Sequence, residues 1–246
     1  MHEFQTFAYL PVPKTGTTFI SRFLERFSKE KLVRLESHQP METDCDRTKL
    51  YFISVRHPLD AYISLYSYGS QKRGKMGRKL RKLGFGNLYD GTSSGFNEWL
   101  NYVLQPENAS VLDRPFAKVG GGRVAELIGL QSYRYLRLAL PGGEALLTDC
   151  RSQNDVREVH AHNKLARYTI RHETFTRDLC TLVRGPLSYA ITDVDEAVSF
   201  IENTPPINSS RRIDEDQKIA LEDRVKRAFV EREWFLREEF GYGSDS

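Results

Sequence analysis

The stretch that most restricts what this chain can become lies at its start. Residues 4–12 are rich in Phe, Tyr and Val and read as a short buried strand. Residues 17–28 place Phe19, Ile20, Phe23, Leu24 and Phe27 three and four apart, the spacing of an amphipathic helix. Between them stands the turn Pro13-Lys14-Thr15-Gly16. A strand that enters a helix through so tight a turn aims the first helical N–H groups outward, and these have no partner within the helix. The helix dipole adds partial positive charge at that end. Gly16 lets the backbone curl around an anion, Lys14 adds a full charge, and Thr15, Thr17 and Thr18 add hydroxyl donors. The competing reading is an ordinary Thr-capped helix after a turn.

Downstream, residues 32–36 read as a second strand. Residues 50–55, LYFISV, read as a third, apolar enough for a central place in a parallel sheet. Pro58 suits the first turn of a helix running to about residue 68. This alternation predicts an α/β fold, a doubly wound and mainly parallel sheet with helices on both faces. Further helices are expected over 96–104, 123–140, 174–183 and 193–202, a strand over 168–171, and one long charged helix over 214–240. At 246 residues the chain suits a single domain spanning 1–246.

Composition removes several function classes. A net charge of +3 does not mark a nucleic-acid binder. Charge is concentrated locally instead. Lys72, Arg73, Lys75, Arg78, Lys79, Arg81 and Lys82 fall within residues 71–86, which hold no acidic residue and read as a basic loop or a short exposed helix. Cys45, Cys150 and Cys180 lie too far apart in sequence for a zinc or dithiol motif, and their low density suits a reducing compartment. No apolar stretch approaches the roughly 20 residues that cross a bilayer, and residues 1–5 do not resemble a signal peptide. The expected location is cytoplasmic.

The turn is not the triphosphatase loop GxxxxGK[ST], because its lysine precedes its glycine. The strand at 50–55 ends in Arg56, not in a carboxylate placed for magnesium, so a cation-bridged phosphoryl transfer is disfavoured and no metal is expected. Arg56 at a strand end and Ser64 eight residues on form a second candidate anion grip, a charged fork plus one hydroxyl. The plainer reading pairs Arg56 with Asp60. PKTGTT resembles the 5′-phosphosulfate loop of the sulfotransferases that use 3′-phosphoadenosine 5′-phosphosulfate (PAPS). Ser37-His38-Gln39-Pro40 resembles their catalytic-histidine segment, and Val55-Arg56-His57-Pro58-Leu59-Asp60-Ala61 followed by Ser64 resembles their 3′-phosphate segment. Arg171-His172-Glu173 resembles a further recurring element. The likeness is continuous over about residues 6–70, patchy to about 140, and returns near 168 and at the C-terminal helix. Residues 71–165 form the variable region and, on this resemblance, the acceptor pocket.

The resemblance implies PAPS as co-substrate. Lys14, Thr15, Gly16, Thr17 and Thr18 would hold its 5′ end, and Arg56 and Ser64 its 3′-phosphate. The family's C-terminal glycine-containing basic loop has no match here. Arg211 and Arg212 stand in its place, or else face solvent beside Asp214 and Asp216. Tyr133 resembles an aromatic near adenine, although core packing is an equal reading. Sulfonate transfer needs a base for the acceptor proton and a cation at the leaving oxygen. His38 and Glu36 are the candidate bases, and Lys14 is the cation. His57, His160, His162 and His172 have weaker positional support. The implied acceptor is a small molecule or glycan, a carbohydrate or glycolipid above all. The basic run would attract an anionic substrate or a membrane surface. The alternatives are a P-loop kinase or nucleotide phosphotransferase, and a non-catalytic anion- or nucleic-acid-binding protein.

Overall fold

Five strands form one sheet in the order β3-β1-β2-β4-β5: β1 (His2–Glu3), β2 (Phe7–Leu10), β3 (Arg34–Leu35), β4 (Leu50–Val55) and β5 (Tyr168–Arg171). The structure, a computed structural model, describes residues 1–36, 39–205 and 219–243. The sheet is mixed, unlike the mainly parallel one expected. β1 runs antiparallel to both β2 and β3, while β2, β4 and β5 pair in parallel. Since β1 opposes both neighbours, β3 shares the direction of β2, β4 and β5. Four strands therefore deliver their C-terminal ends to one rim.

The helices are α1 (Thr17–Phe27), α2 (Pro58–Ser70), α3 (Lys75–Lys82), α4 (Ser93–Leu104), α5 (Ala109–Leu112), α6 (Arg114–Lys118), α7 (Arg123–Leu127), α8 (Leu130–Ala139), α9 (Gly143–Thr148), α10 (Gln153–Asn163), α11 (Phe175–Arg184), α12 (Val194–Asn203), α13 (Asp223–Arg232) and α14 (Trp234–Glu239). The chain divides into two compact units. The first comprises the described residues of Met1–Arg56, Tyr135–Gly143 and His162–Ser209. The second comprises those of His57–Arg134, Glu144–Ala161 and Ser210–Ser246.

The first unit holds the whole sheet with α1, α11 and α12. Its core forms where the apolar stripe of α1 (Phe19, Ile20, Phe23, Leu24, Phe27) meets β2, β4 and the buried faces of α11 and α12. Each such side chain stabilises the fold by roughly 1.5–3 kcal/mol when fully buried. The Tyr9 and Phe52 rings stack at 5.0 Å across the β2–β4 pair, where they are register partners. Asp193 caps α12 by accepting from Glu196 N–H at 2.9 Å.

The second unit packs α2 against α4 through Tyr62, Tyr66, Phe96 and Trp99. Here the long helix expected over 214–240 is corrected. Within its described part it is two helices, α13 and α14, broken at Glu233. The Glu233 carboxylate is fully buried and accepts four hydrogen bonds, from Tyr62 O–H (2.5 Å), Gln131 N–H (2.9 Å), Ser132 N–H (2.9 Å) and Ser132 O–H (2.7 Å). It thereby caps the first turn of α8 with negative charge, where the helix dipole favours it. Burial pushes its carboxyl above the usual range, and the four donors oppose that shift. Residues 123–140 likewise form two helices, α7 and α8, parted at Gly129, whose N–H donates to Arg232 C=O at 2.5 Å. The basic run resolves as α3, the exposed-helix alternative.

Candidate active site

The rim at the C-terminal ends of β2, β3, β4 and β5 belongs entirely to the first unit. It gathers the Lys14 loop, Glu36, Arg56 and the His172-Glu173 turn. Such a rim is where open α/β sheets bind ligands.

Two residues of the loop have left-handed backbone: Lys14 at φ 71° and Gly16 at φ 91°. Gly16 is the N-cap of α1, and its carbonyl accepts from Phe19 N–H at 3.0 Å. The amides of Thr17 and Thr18 precede that first helical bond. A side chain at position 16 would be strained. A Cβ there would lie 2.8 Å from the Phe175 ring, in a backbone conformation that L side chains rarely adopt. For Lys14 the same region costs roughly 1–2 kcal/mol. Alternation around left-handed residues builds the backbone concavities that hold anions.

What holds the loop in this shape is a buried hydroxyl chain that sequence reasoning missed. Thr15 O–H donates to Val12 C=O at 2.7 Å, Ser54 Oγ lies 2.5 Å from Thr15 Oγ1, and Tyr9 OH lies 2.6 Å from Ser54 Oγ. Each hydroxyl has one proton. Because Thr15 spends its proton on Val12, Ser54 must donate to Thr15 and Tyr9 to Ser54. Tyr9 and Ser54 have no exposed surface and Thr15 has 2%. Burial raises the Tyr9 phenol well above its ordinary pKa, so it stays a donor. This corrects one expectation. The Thr15 hydroxyl faces inward and is engaged, so Thr15 can meet an anion only through its backbone N–H. The signal was Ser54 itself, a small polar residue within an otherwise hydrophobic strand.

Arg56 follows β4 directly, and its Nη1 donates to Lys14 C=O at 3.5 Å. The guanidinium therefore lies at the loop itself. β5 ends beside it, with Arg171 the register partner of Val55. The turn after β5 is fixed by Asp178, which accepts from Arg171 N–H at 3.0 Å and Thr174 O–H at 2.6 Å. Glu36, just past β3, donates its N–H to Met1 C=O at 2.8 Å, and its carboxylate pairs with Arg34 at 2.9 Å. That pair uses one oxygen of the carboxylate, Oε1. His38, Arg211 and Arg212 lie outside the described residues.

Two predicted site residues fall in the second unit. Ser64 lies on α2 and is 7% exposed. Tyr133, read as an adenine neighbour, is corrected. It has no exposed surface, and its ring stacks on Phe116 at 4.8 Å, so neither face is open to a base. His57 caps α2, its Nδ1 accepting from Leu59 N–H at 3.3 Å. His160 is buried edge-on against Phe235.

Burial pushes all three thiols upward, Cys150 to about 11, which suits structural cysteines rather than nucleophiles. Among the described residues no group of three or more His, Cys, Asp or Glu could hold a metal, and no helix is long and apolar enough to cross a membrane.

No curated protein and no solved structure matches the chain. A match to the model described as Sulfotransferase family covers residues 1–119, just under half the length. That span contains β1 to β4, the Lys14 loop and Arg56, and over it the chain is similar to the sulfotransferase family.

Proposed function

We propose that this protein transfers a sulfonate group from PAPS to a hydroxyl or amine acceptor, a carbohydrate or glycolipid being the favoured class. The observation that carries this reading is the Lys14 loop. It is a left-handed turn at the N-terminus of an eleven-residue helix, with Arg56 donating to its backbone, inside the sulfotransferase-family match. The reading treats the four co-directional strands as the nucleotide-binding side of a doubly wound sheet.

In this scheme the acceptor oxygen or nitrogen attacks sulfur, the bond from sulfur to the bridging oxygen breaks, and the acceptor proton passes to a base. Amides of residues 15–18 cradle the 5′ end, and the hydroxyls of Thr17 and Thr18 assist. Lys14 neutralises the negative charge on the departing 5′-phosphate. The sequence pattern alone assigns Arg56 and Ser64 to the 3′-phosphate, with Arg211 and Arg212 as further candidates. His38 is assigned as base on its sequence context. Glu36, whose carboxylate pairs through Oε1 with Arg34, is the second choice.

Calorimetric titration tests the donor half. Adenosine 3′,5′-bisphosphate should bind about tenfold or more tighter than AMP, the scale of one added charge-assisted phosphate contact. Equal affinities would refute the assignment. Transfer of ³⁵S from labelled PAPS to an acceptor panel tests the chemistry. Lys14→Ala should lower kcat by roughly a hundredfold or more, as loss of a charge-stabilising donor does. Full turnover in His38→Ala beside a dead Glu36→Gln would move the base to Glu36. Magnesium-dependent ATP turnover without sulfonate transfer would establish a phosphotransferase instead.

A further inference from the structure

The second unit carries a cationic surface that the proposed chemistry does not use. On α3, Leu80 and Gly77 are buried, and Lys75, Arg78 and Lys82 lie on the opposite, exposed face. Lys72 and Arg73, in the turn before α3, are exposed as well. Among the described residues none of these five pairs with a carboxylate.

The face cannot roll inward. A Cβ on Gly77 would sit 3.1 Å from the Gly69 Cα of α2, so the two backbones are in close contact. Arg81 donates to Gly69 C=O and lies over the Tyr89 ring at 5.0 Å, and Lys79 Nζ donates to Ser110 C=O at 2.7 Å. Two of the seven cations thus anchor α3, and five are presented. The presented charges have apolar company. Leu83, the C-cap of α3, is 51% exposed, Phe85 is 36% exposed, and Tyr68, against the N-cap Gly74, is 38% exposed.

Cations alone would fit any polyanion. Cations interleaved with protruding Leu, Phe and Tyr fit a surface that offers both negative charge and an apolar layer. We infer that α3 and its flanking turns dock on an anionic membrane surface, the five cations at the headgroups and Leu83 and Phe85 at the acyl boundary. This goes beyond sulfonate transfer and does not depend on it.

Vesicle co-sedimentation with the full chain tests it. Binding should be strong to vesicles containing about a third phosphatidylglycerol, weak to pure phosphatidylcholine, and should fall as salt shortens the roughly 8 Å Debye length. Replacing Lys75, Arg78 and Lys82 by Gln should weaken it roughly a hundredfold, at about fivefold per charge. Leu83→Ser with Phe85→Ser should weaken it about fivefold at unchanged charge. The same loss of three charges on α13, as Arg224→Gln, Lys226→Gln and Arg227→Gln, should leave it within about twofold. All of these substituted residues are exposed, and unchanged melting confirms folding. Three results would overturn the inference: no preference for anionic vesicles, equal weakening by the α13 variant, or indifference to the Leu83 and Phe85 changes. The last, with tight heparin binding through the same cations, would identify a soluble polyanion as the partner.

Discussion

Replacing Ser54 by Ala should show how much the hydroxyl chain holds the Lys14 loop. In the wild type Ser54 accepts from Tyr9 and donates to Thr15. The substitution strands the Tyr9 hydroxyl, a fully buried donor, at about 1–3 kcal/mol, and removes one neutral hydrogen bond to Thr15, worth about 1 kcal/mol. The expected loss is about 3 kcal/mol. For a chain of this length that lowers the melting temperature by roughly 6–12 °C. Tyr9→Phe removes a donor but strands no buried proton, so about 1 kcal/mol is expected. The double variant should recover part of the Ser54→Ala loss, because no unsatisfied donor remains. The cycle should depart from additivity by about 1–2 kcal/mol. Calorimetric melting of the four proteins measures this, and adenosine 3′,5′-bisphosphate titration reports the loop, with weaker binding expected for Ser54→Ala. Additivity within about 0.3 kcal/mol, or a Ser54→Ala protein that melts with wild type, would refute the relay.

Three further outcomes are expected. Gly16→Ala combines a left-handed φ with a Cβ 2.8 Å from Phe175; it should lower stability by about 1–3 kcal/mol and abolish nucleotide binding in the same titration, and unchanged binding would show that the loop tolerates reshaping. Glu233→Gln keeps one acceptor oxygen but turns an N–H₂ toward groups that themselves donate to position 233; a loss of about 2–4 kcal/mol is expected in thermal melts, and a neutral effect would contradict the capping role. With its thiol pushed up to about 11, Cys150 holds only about a thousandth of its molecules as thiolate at pH 8. Its alkylation should rise about tenfold per pH unit toward that value. Mass spectrometry after brief iodoacetamide treatment at pH 8 should find half-buried Cys45 modified first, with Cys150 and Cys180 reacting freely only in denaturant.

The sequence was most readable where one physical demand dominated. Leu50 to Val55 sit between two parallel neighbours and are hydrophobic for that reason at every position but Ser54, so the strand is found to the residue. The helix after the Lys14 loop was legible because one of its faces must be buried, and Pro58 marked the start of α2. Elements defined by distant partners were not readable. β1 is two residues long and exists only because β2 and β3 flank it. The break at Glu233 serves the first turn of α8, about a hundred residues away in sequence, and nothing local announces it, since a charged residue suits an exposed helix equally well. Tyr133 misled because an aromatic beside polar residues reads alike on a ligand and in a core. Ser64 and Arg56, joined by a sequence pattern, fall in different units.

The loop shows why the residue pattern PKTGTT is informative beyond its charge. A lysine in left-handed backbone stores unfavourable energy of roughly 1–2 kcal/mol, and a flexible loop would relax it. Here relaxation is blocked on three sides: Thr15 is tied to Val12 and β4, Gly16 is closed off by Phe175, and the Lys14 carbonyl is held by Arg56. Thr15 spends its hydroxyl proton in this way and can meet an anion only through its backbone N–H. The donors proposed for an anion are the backbone N–H groups at the start of α1, the Lys14 ammonium and the hydroxyls of Thr17 and Thr18. Donors fixed before an anion arrives need no reordering when it binds, and preorganised donors of this kind stabilise developing negative charge most effectively. On the proposed reading, the sulfonate donor has a phosphate as its leaving group and would make that demand at the end assigned to this loop.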